Sequence, residues 1–214
     1  MWFGKKNRKE EEARYQDRLP PGQSLTLKWP VLHVGSVPQY RDLSLWDFYI
    51  RGRVEKPVRF TWAEFSSLPM KSQVNDMHCV TQWSKFDNTF EGVPVAEVMK
   101  HVKLLPDATH VMIHADPSYT TNIPLEDFLD DDVMFPLKYE GQPLTPDHGY
   151  PVRLLVPKLY LWKSAKWVRG LEFLAGDKPG FWERYGYHNH GDPWQEERFG
   201  GFVVDTMQNV RSKR

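Results

Sequence analysis

Apolar positions recur along this chain at two periods, and the change from one to the other marks its elements. Trp46 to Val54 alternates apolar and polar, which predicts a strand with Arg51 and Arg53 on one face. Pro57 to Phe60 predicts a short strand. Thr61-Trp62-Ala63-Glu64 is a capping box opening a helix that ends near Leu68. Met70 to Val80 alternates again. Phe90-Glu91-Gly92-Val93 reads as a turn, and Pro94 opens a helix to about Val102 whose stripe is Val95, Val98, Met99 and Val102.

Further on, Thr109 to Ala115 predicts a strand closed by the turn residues Asp116-Pro117-Ser118-Tyr119. A helix follows from Pro124 through Leu129, then a short strand from Val133 to Phe135 and a turn over Tyr139 to Leu144. Val152 to Val156 and Lys166 to Leu174 predict two more strands. Leu25 to Val37 is extended and apolar, and the aromatic tail from Gly180 reads as irregular chain wrapping the body. Short strands and helices alternate without a long βαβ period, so the expected class is α+β with mixed sheets. Residues 1–22 are charge-rich and end in Pro20-Pro21-Gly22, predicting an arm; residues 23–214 predict one domain. Trp2 and Phe3 would let the arm dock.

Composition narrows the function classes. Acidic and basic residues number 28 each, so no basic field advertises nucleic acid. One cysteine excludes an internal disulfide framework and a Cys-rich zinc or iron–sulfur site. The first residues carry no secretory or twin-arginine leader and no run is long enough to span a membrane, so the expected location is the cytoplasm. Nine tryptophans, nine tyrosines and twelve phenylalanines supply walls for a small-molecule pocket. The chain has no G-x-G-x-x-G, P-loop, H-E-x-x-H or G-x-S-x-G motif. His188-Asn189-His190 reads as two exposed polar histidines, and Asp130 to Asp132 as a solvated charge run.

Two stretches carry candidate chemistry. A lone cysteine is by itself more often a small buried hydrophobe. Cys79, however, ends a strand among polar and turn-forming residues, where a sulfur can face a cavity and serve as a soft metal ligand, a reading that rests on its pairing with a second stretch downstream. Its neighbour His78 points to the opposite strand face, which disfavours a thiol–imidazole nucleophile. Downstream, Arg153 and Lys166 interrupt apolar strand-like sequence; they read either as long side chains reaching from strand edges to water or, with His148, as a fork suited to a phosphate or planar heterocycle.

Together these stretches resemble the molybdopterin-binding domain of the sulfite oxidase superfamily. The resemblance rests on M-x-C-V-x-x-W-S around Cys79, H-G-x-P-V-R-L-x-V-P from His148, K-x-x-K-W from Lys163, and Y-x-x-x-I-P-L from Tyr119, and it covers Leu25 to Leu174. It implies a molybdenum held by molybdopterin and by Cys79, performing two-electron oxygen-atom transfer. It further implies that His33, His148, Arg153, Ser164, Ala165 and Lys166 hold the cofactor and that Tyr119 faces the substrate. Sulfite oxidases carry arginines shortly after the cysteine; here Val80 to Lys85 has none, and V-x-x-W-S is closer to the bacterial methionine-sulfoxide-reducing subunit. The substrate expected is a small S-oxide, N-oxide or sulfite, with a separate electron donor or acceptor protein. The alternative is a non-catalytic pterin- or protein-binding module on the same fold.

Overall fold

The computed structural model describes residues 13–200. Trp2 and Phe3, the expected docking residues of the arm, lie outside that range. The end of the arm does dock: Tyr15 stacks on Phe86 at 4.4 Å, and Arg18 grips Asp76 through Nε at 2.8 Å and Nη2 at 2.5 Å.

Two five-stranded sheets form the body. The first joins β1 (Ser24–Leu25), β4 (Lys71–Cys79), β5 (Trp83–Pro94), β8 (Met134–Tyr139) and β9 (Gln142–Pro143), with β5 as the shared strand. The second runs β3 (Val58–Thr61), β2 (Asp47–Gly52), β10 (Val168–Leu174), β6 (His110–Ala115), β7 (Tyr119–Pro124). The β2–β10 pair is parallel and the rest of that sheet antiparallel, the mixed arrangement expected.

Helices are short because each only bridges strands. In α1 (Trp62–Ser66) the capping box forms: Thr61 Oγ1 accepts from Glu64 N at 3.3 Å and Glu64 Oε2 accepts from Thr61 N at 2.7 Å. α2 (Val95–Met99) stops before Val102, and α3 (Leu125–Phe128) and α4 (Phe181–Arg184) make one turn each. Phe48, Phe65 and Phe135 pack edge and face at the centre of the main core, all fully buried. Removing one such ring costs about 3–5 kcal/mol. A smaller cluster of Met77, Phe90, Met134 and Leu155 lies under Trp29 and Leu161.

Three expectations about elements are corrected. Phe90 to Val93 is not a turn but the end of the long strand β5. Gly92 lies there so close to β8 that a Cβ would meet the Phe135 oxygen at 2.1 Å, and the ladder shifts register beside it. Glycine marks a close backbone approach rather than a reversal. Tyr119, expected in a turn, begins β7. Val152 to Val156 is extended but forms no ladder. Its amides turn to different partners: Arg153 N to Pro136 O, Leu154 N to Ala165 O, and Leu155 N to Met134 O. Leu25 to Val37 is likewise mostly irregular beyond β1.

Candidate active site

Cys79 is delivered by a tight hairpin. Gln82 N donates to Cys79 O at 3.0 Å, Gln82 adopts a φ of 67°, and Trp83 returns directly opposite the cysteine. Gln23 Nε2 also donates to Cys79 O, at 3.0 Å. From the tail, Arg198 Nη1 donates to Val80 O at 2.9 Å and its Nη2 to Pro21 O at 3.2 Å. The sulfur is nearly buried and accepts from Thr81 Oγ1 at 3.1 Å. Burial pushes the thiol pKa up, opposed by the Thr81 hydrogen bonds and the Arg198 charge. A metal at this sulfur would displace the proton and claim the thiolate. His78 turns away and meets Ser84 Oγ at 2.8 Å, as strand geometry requires.

Facing the sulfur is a cationic floor. Arg153 is 2% exposed, yet among the described residues its guanidinium meets no carboxylate. It donates to three backbone carbonyls, those of His148 at 3.0 Å, Ser164 at 3.1 Å and Leu154 at 3.4 Å, and lies over the Trp29 ring at 5.0 Å. Burial lowers its pKa to about 9. Lys166 Nζ donates to Leu32 O at 2.9 Å and Asp147 O at 2.6 Å; burial, then the Arg153 charge, lowers it to about 7. His148 stacks on Trp29 at 3.9 Å, and its buried Nδ1 finds no partner. Burial followed by Arg153 and Lys166 brings it to about 4, so the ring is neutral. Gly149, with a φ of 111°, lets the chain pass Arg153 and Lys166 where a Cβ would meet their Cβ atoms at 3.0 and 3.2 Å.

Cys79, Tyr119, His33, Arg153, Ser164, Ala165 and Lys166 all line one cavity of about 280 Å³. His148 stands behind its wall, reaching it through Trp29 and Arg153. His33 is exposed at the rim, its Nδ1 3.1 Å from Gly35 O and its ring edge-on to Trp167. Ser164 Oγ accepts from Val156 N at 2.9 Å, which ties the Lys163–Lys166 loop to the Arg153 segment. The Tyr119 hydroxyl is committed: it donates to Trp162 O at 2.5 Å, so in this arrangement it holds the wall.

The sequence reading missed the other walls. Trp29, Trp83, Trp162, Trp182 and Tyr187 complete the cavity. The aromatic density of the tail was the available signal, but spacing alone could not say where the tail would lie. Lys85 bonds Asn88 at 2.7 Å, while Arg51 and His114 both engage Glu172 on the other sheet, so none of them lines this cavity. His188 and His190, expected to be exposed, are half-buried on carboxylates: His190 contacts Asp127 and Glu197, each at 2.8 Å.

The donor set fits molybdopterin. Among the described residues no cluster of three or more His, Cys, Asp or Glu could hold a metal unaided, so a metal at Cys79 must bring its other ligands with a cofactor. A buried guanidinium and a half-buried amine, hydrogen-bonded to backbone carbonyls among the described residues, are suited to the anionic groups of such a cofactor.

This combination of mixed sheets, a lone cavity-facing cysteine and an anion-ready floor defines a cofactor-binding redox domain. The chain belongs to the oxidoreductase molybdopterin-binding domain family of the sulfite oxidase superfamily, whose pattern matches residues 34–182. It is 42% identical over 199 residues to YuiH, an uncharacterized oxidoreductase of Bacillus subtilis (strain 168), covering 93% of this chain and 98% of that one. The protein-methionine-sulfoxide reductase catalytic subunit MsrP of Gluconobacter oxydans (strain 621H) is 26% identical over 78% of this chain; the match spans 61% of its length. The fold is shared with the sulfane dehydrogenase SoxCD from Paracoccus pantotrophus, at a TM-score of 0.61 and 23% identity, over 72% of this chain and 43% of that one. Among the described residues no helix is long and apolar enough to cross a membrane.

Proposed function

We propose that the chain binds a molybdenum–molybdopterin cofactor, with Cys79 as the protein ligand to the metal, and performs two-electron oxygen-atom transfer on a small neutral oxide. One observation carries the reading: a cavity-lining thiol shares its chamber with a buried guanidinium that, among the described residues, is held by backbone carbonyls and not by a carboxylate. The bound cofactor would supply the redox chemistry. Arg153 and Lys166 would neutralise its anionic groups, and the carbonyls of His148 and Ser164 would keep Arg153 aimed. Ser164 and Ala165 would present backbone along its edge, with His148 and His33 behind it and at the rim.

The remaining walls favour a neutral substrate. Trp83, Trp162, Trp182 and Tyr187 are apolar faces, and the cationic side chains lining the cavity are Arg153 and Lys166, which the cofactor would occupy. A desolvated anion such as sulfite would find no further Arg or Lys side chain lining the cavity among the described residues, whereas an S-oxide or N-oxide would rest on the rings. Tyr119 orients the wall rather than donating its proton to substrate.

A separate electron donor or acceptor protein belongs to the proposal, supported by the exposed apolar rim of Val31 and Leu32 beside His33. A cytoplasmic location is also proposed, in keeping with a single free thiol. Protein from a host able to make the cofactor should carry molybdenum and pterin and oxidise reduced viologen with dimethyl sulfoxide or trimethylamine N-oxide. Turnover of sulfite alone, or loaded protein inert toward every oxide, would reject the substrate assignment.

A further inference from the structure

Lys163 is fully buried at the start of the Lys163–Lys166 loop and does not itself line the cavity. Its ammonium forms an ion pair with Glu183 at 2.7 Å and donates to Asn122 O at 2.7 Å and Asn189 O at 2.6 Å, with Asn122 Oδ1 at 3.2 Å. The Glu183 side chain is 1% exposed. Burying both charges costs several kcal/mol, and an apolar pair of similar volume is often no less stable, so stability alone gives a weak reason for the pair. Its contacts supply a better one.

Glu183 Oε1 also accepts from Trp162 Nε1 at 3.0 Å and from Thr121 Oγ1 at 3.0 Å. Trp162 is therefore held at both ends, its carbonyl by the Tyr119 hydroxyl and its indole N–H by the Glu183 carboxylate. Tyr160 stacks on the indole at 5.3 Å and Tyr187 meets it edge-on at 5.1 Å. Gly191, with a φ of 91°, leaves the indole its room, since a Cβ there would lie 2.7 Å from Trp162 Cζ2. Tyr187 stacks in turn on Trp182 at 4.8 Å, so Trp162 and the Trp182–Tyr187 stack meet nearly at right angles in the cavity wall.

We propose that Lys163 and Glu183 are positioning residues that fix Trp162 as one side of an aromatic corner, against which the organic substituents of the oxide are seated. The inference rests on the proposed function for its ligand, but not for its geometry. Lys163 anchors the Glu183 carboxylate and ties it to β7 through Asn122 and to the tail through Asn189; Glu183 sets the plane of the indole. The corner sets which substrates are held, while the metal site sets whether they react.

The test uses the loaded protein, Glu183→Gln, and Trp162→Phe, which keeps a ring but loses the N–H without leaving a buried charge. Each substitution should raise KM for dimethyl sulfoxide by about tenfold, the weight of one hydrogen bond to a charged group. Falls in kcat should be much smaller. Both act on the same hydrogen bond, which Trp162→Phe removes and Glu183→Gln weakens by taking away its charge, so the double variant should be little worse than Trp162→Phe alone. Independently, the Trp162 indole resonance in ¹⁵N-indole spectra, assigned by its loss in Trp162→Phe, should move upfield in Glu183→Gln. A stationary resonance overturns the inference whether or not any oxide turns over, as do additive KM effects or equal losses in KM and kcat. If wild-type protein reduces no oxide while the resonance moves as expected, the positioning link stands and the proposed function fails.

Discussion

The cationic floor makes a quantitative prediction about protein produced without its cofactor. Lys166, lowered to about 7 by burial and by Arg153, is largely neutral at about pH 8 and charged at about pH 6. An anion seated against Arg153 and Lys166 would restore the ammonium, so binding takes up a proton at the higher pH and almost none at the lower. Affinity must therefore fall as pH rises through 7. With a free-state value of about 7 and a much higher one in the complex, Kd should be about tenfold weaker at pH 8 than at pH 6, or about 1.4 kcal/mol. Sulfate is the appropriate probe because its own charge is constant across that range. Titration calorimetry in buffers of different ionisation enthalpy would measure both Kd and the proton count. Lys166→Gln should bind sulfate more weakly and without the pH dependence. Equal affinity at both pH values in the parent protein, or a dependence that survives Lys166→Gln, would refute this reasoning.

Other consequences follow from the same residues. Gly149→Ala forces a left-handed φ of 111° on a side chain whose Cβ meets Arg153 and Lys166, so it should cost about 1 kcal/mol or more and reduce pterin content per chain; calorimetry and pterin fluorescence check both. His78 is lowered by burial from 6.5 to about 4. The unfolded chain therefore gains a proton before the folded one does, and stability should decline by about 3 kcal/mol as pH falls from about 6.5 to 4. Urea titrations across that range should show His78→Gln losing this part of the acid slope; a variant as acid-labile as the parent would contradict it.

The sequence revealed the site's chemistry better than its walls. Arg153 and Lys166 stood out because charges within apolar sequence are costly to desolvate, and Cys79 through its pairing with that downstream stretch; the three do line one cavity. Trp29 and Trp162 did not stand out, since their roles depend on tertiary contacts: one carries His148 on its face, and the other is held by Glu183 from the tail. Arg198 was hidden for the same reason, reaching Val80 from 118 residues away. Among the elements, β5 was obscured by Gly92, whose missing side chain serves a close strand approach. The Val152–Val156 segment reads as a strand because it is largely apolar and bounded by valines, but its amide hydrogen bonds alternate between β8 and the loop at Ala165. Period captures burial, not the number of partners.

The claim on which the rest depends is that the Cys79 sulfur binds molybdenum. X-ray absorption at the molybdenum edge of loaded protein, compared with Cys79→Ser, measures that directly. The sulfur shell should comprise the cofactor's dithiolene pair plus one more, with that additional sulfur lost in the variant. An identical sulfur shell in both proteins would contradict it.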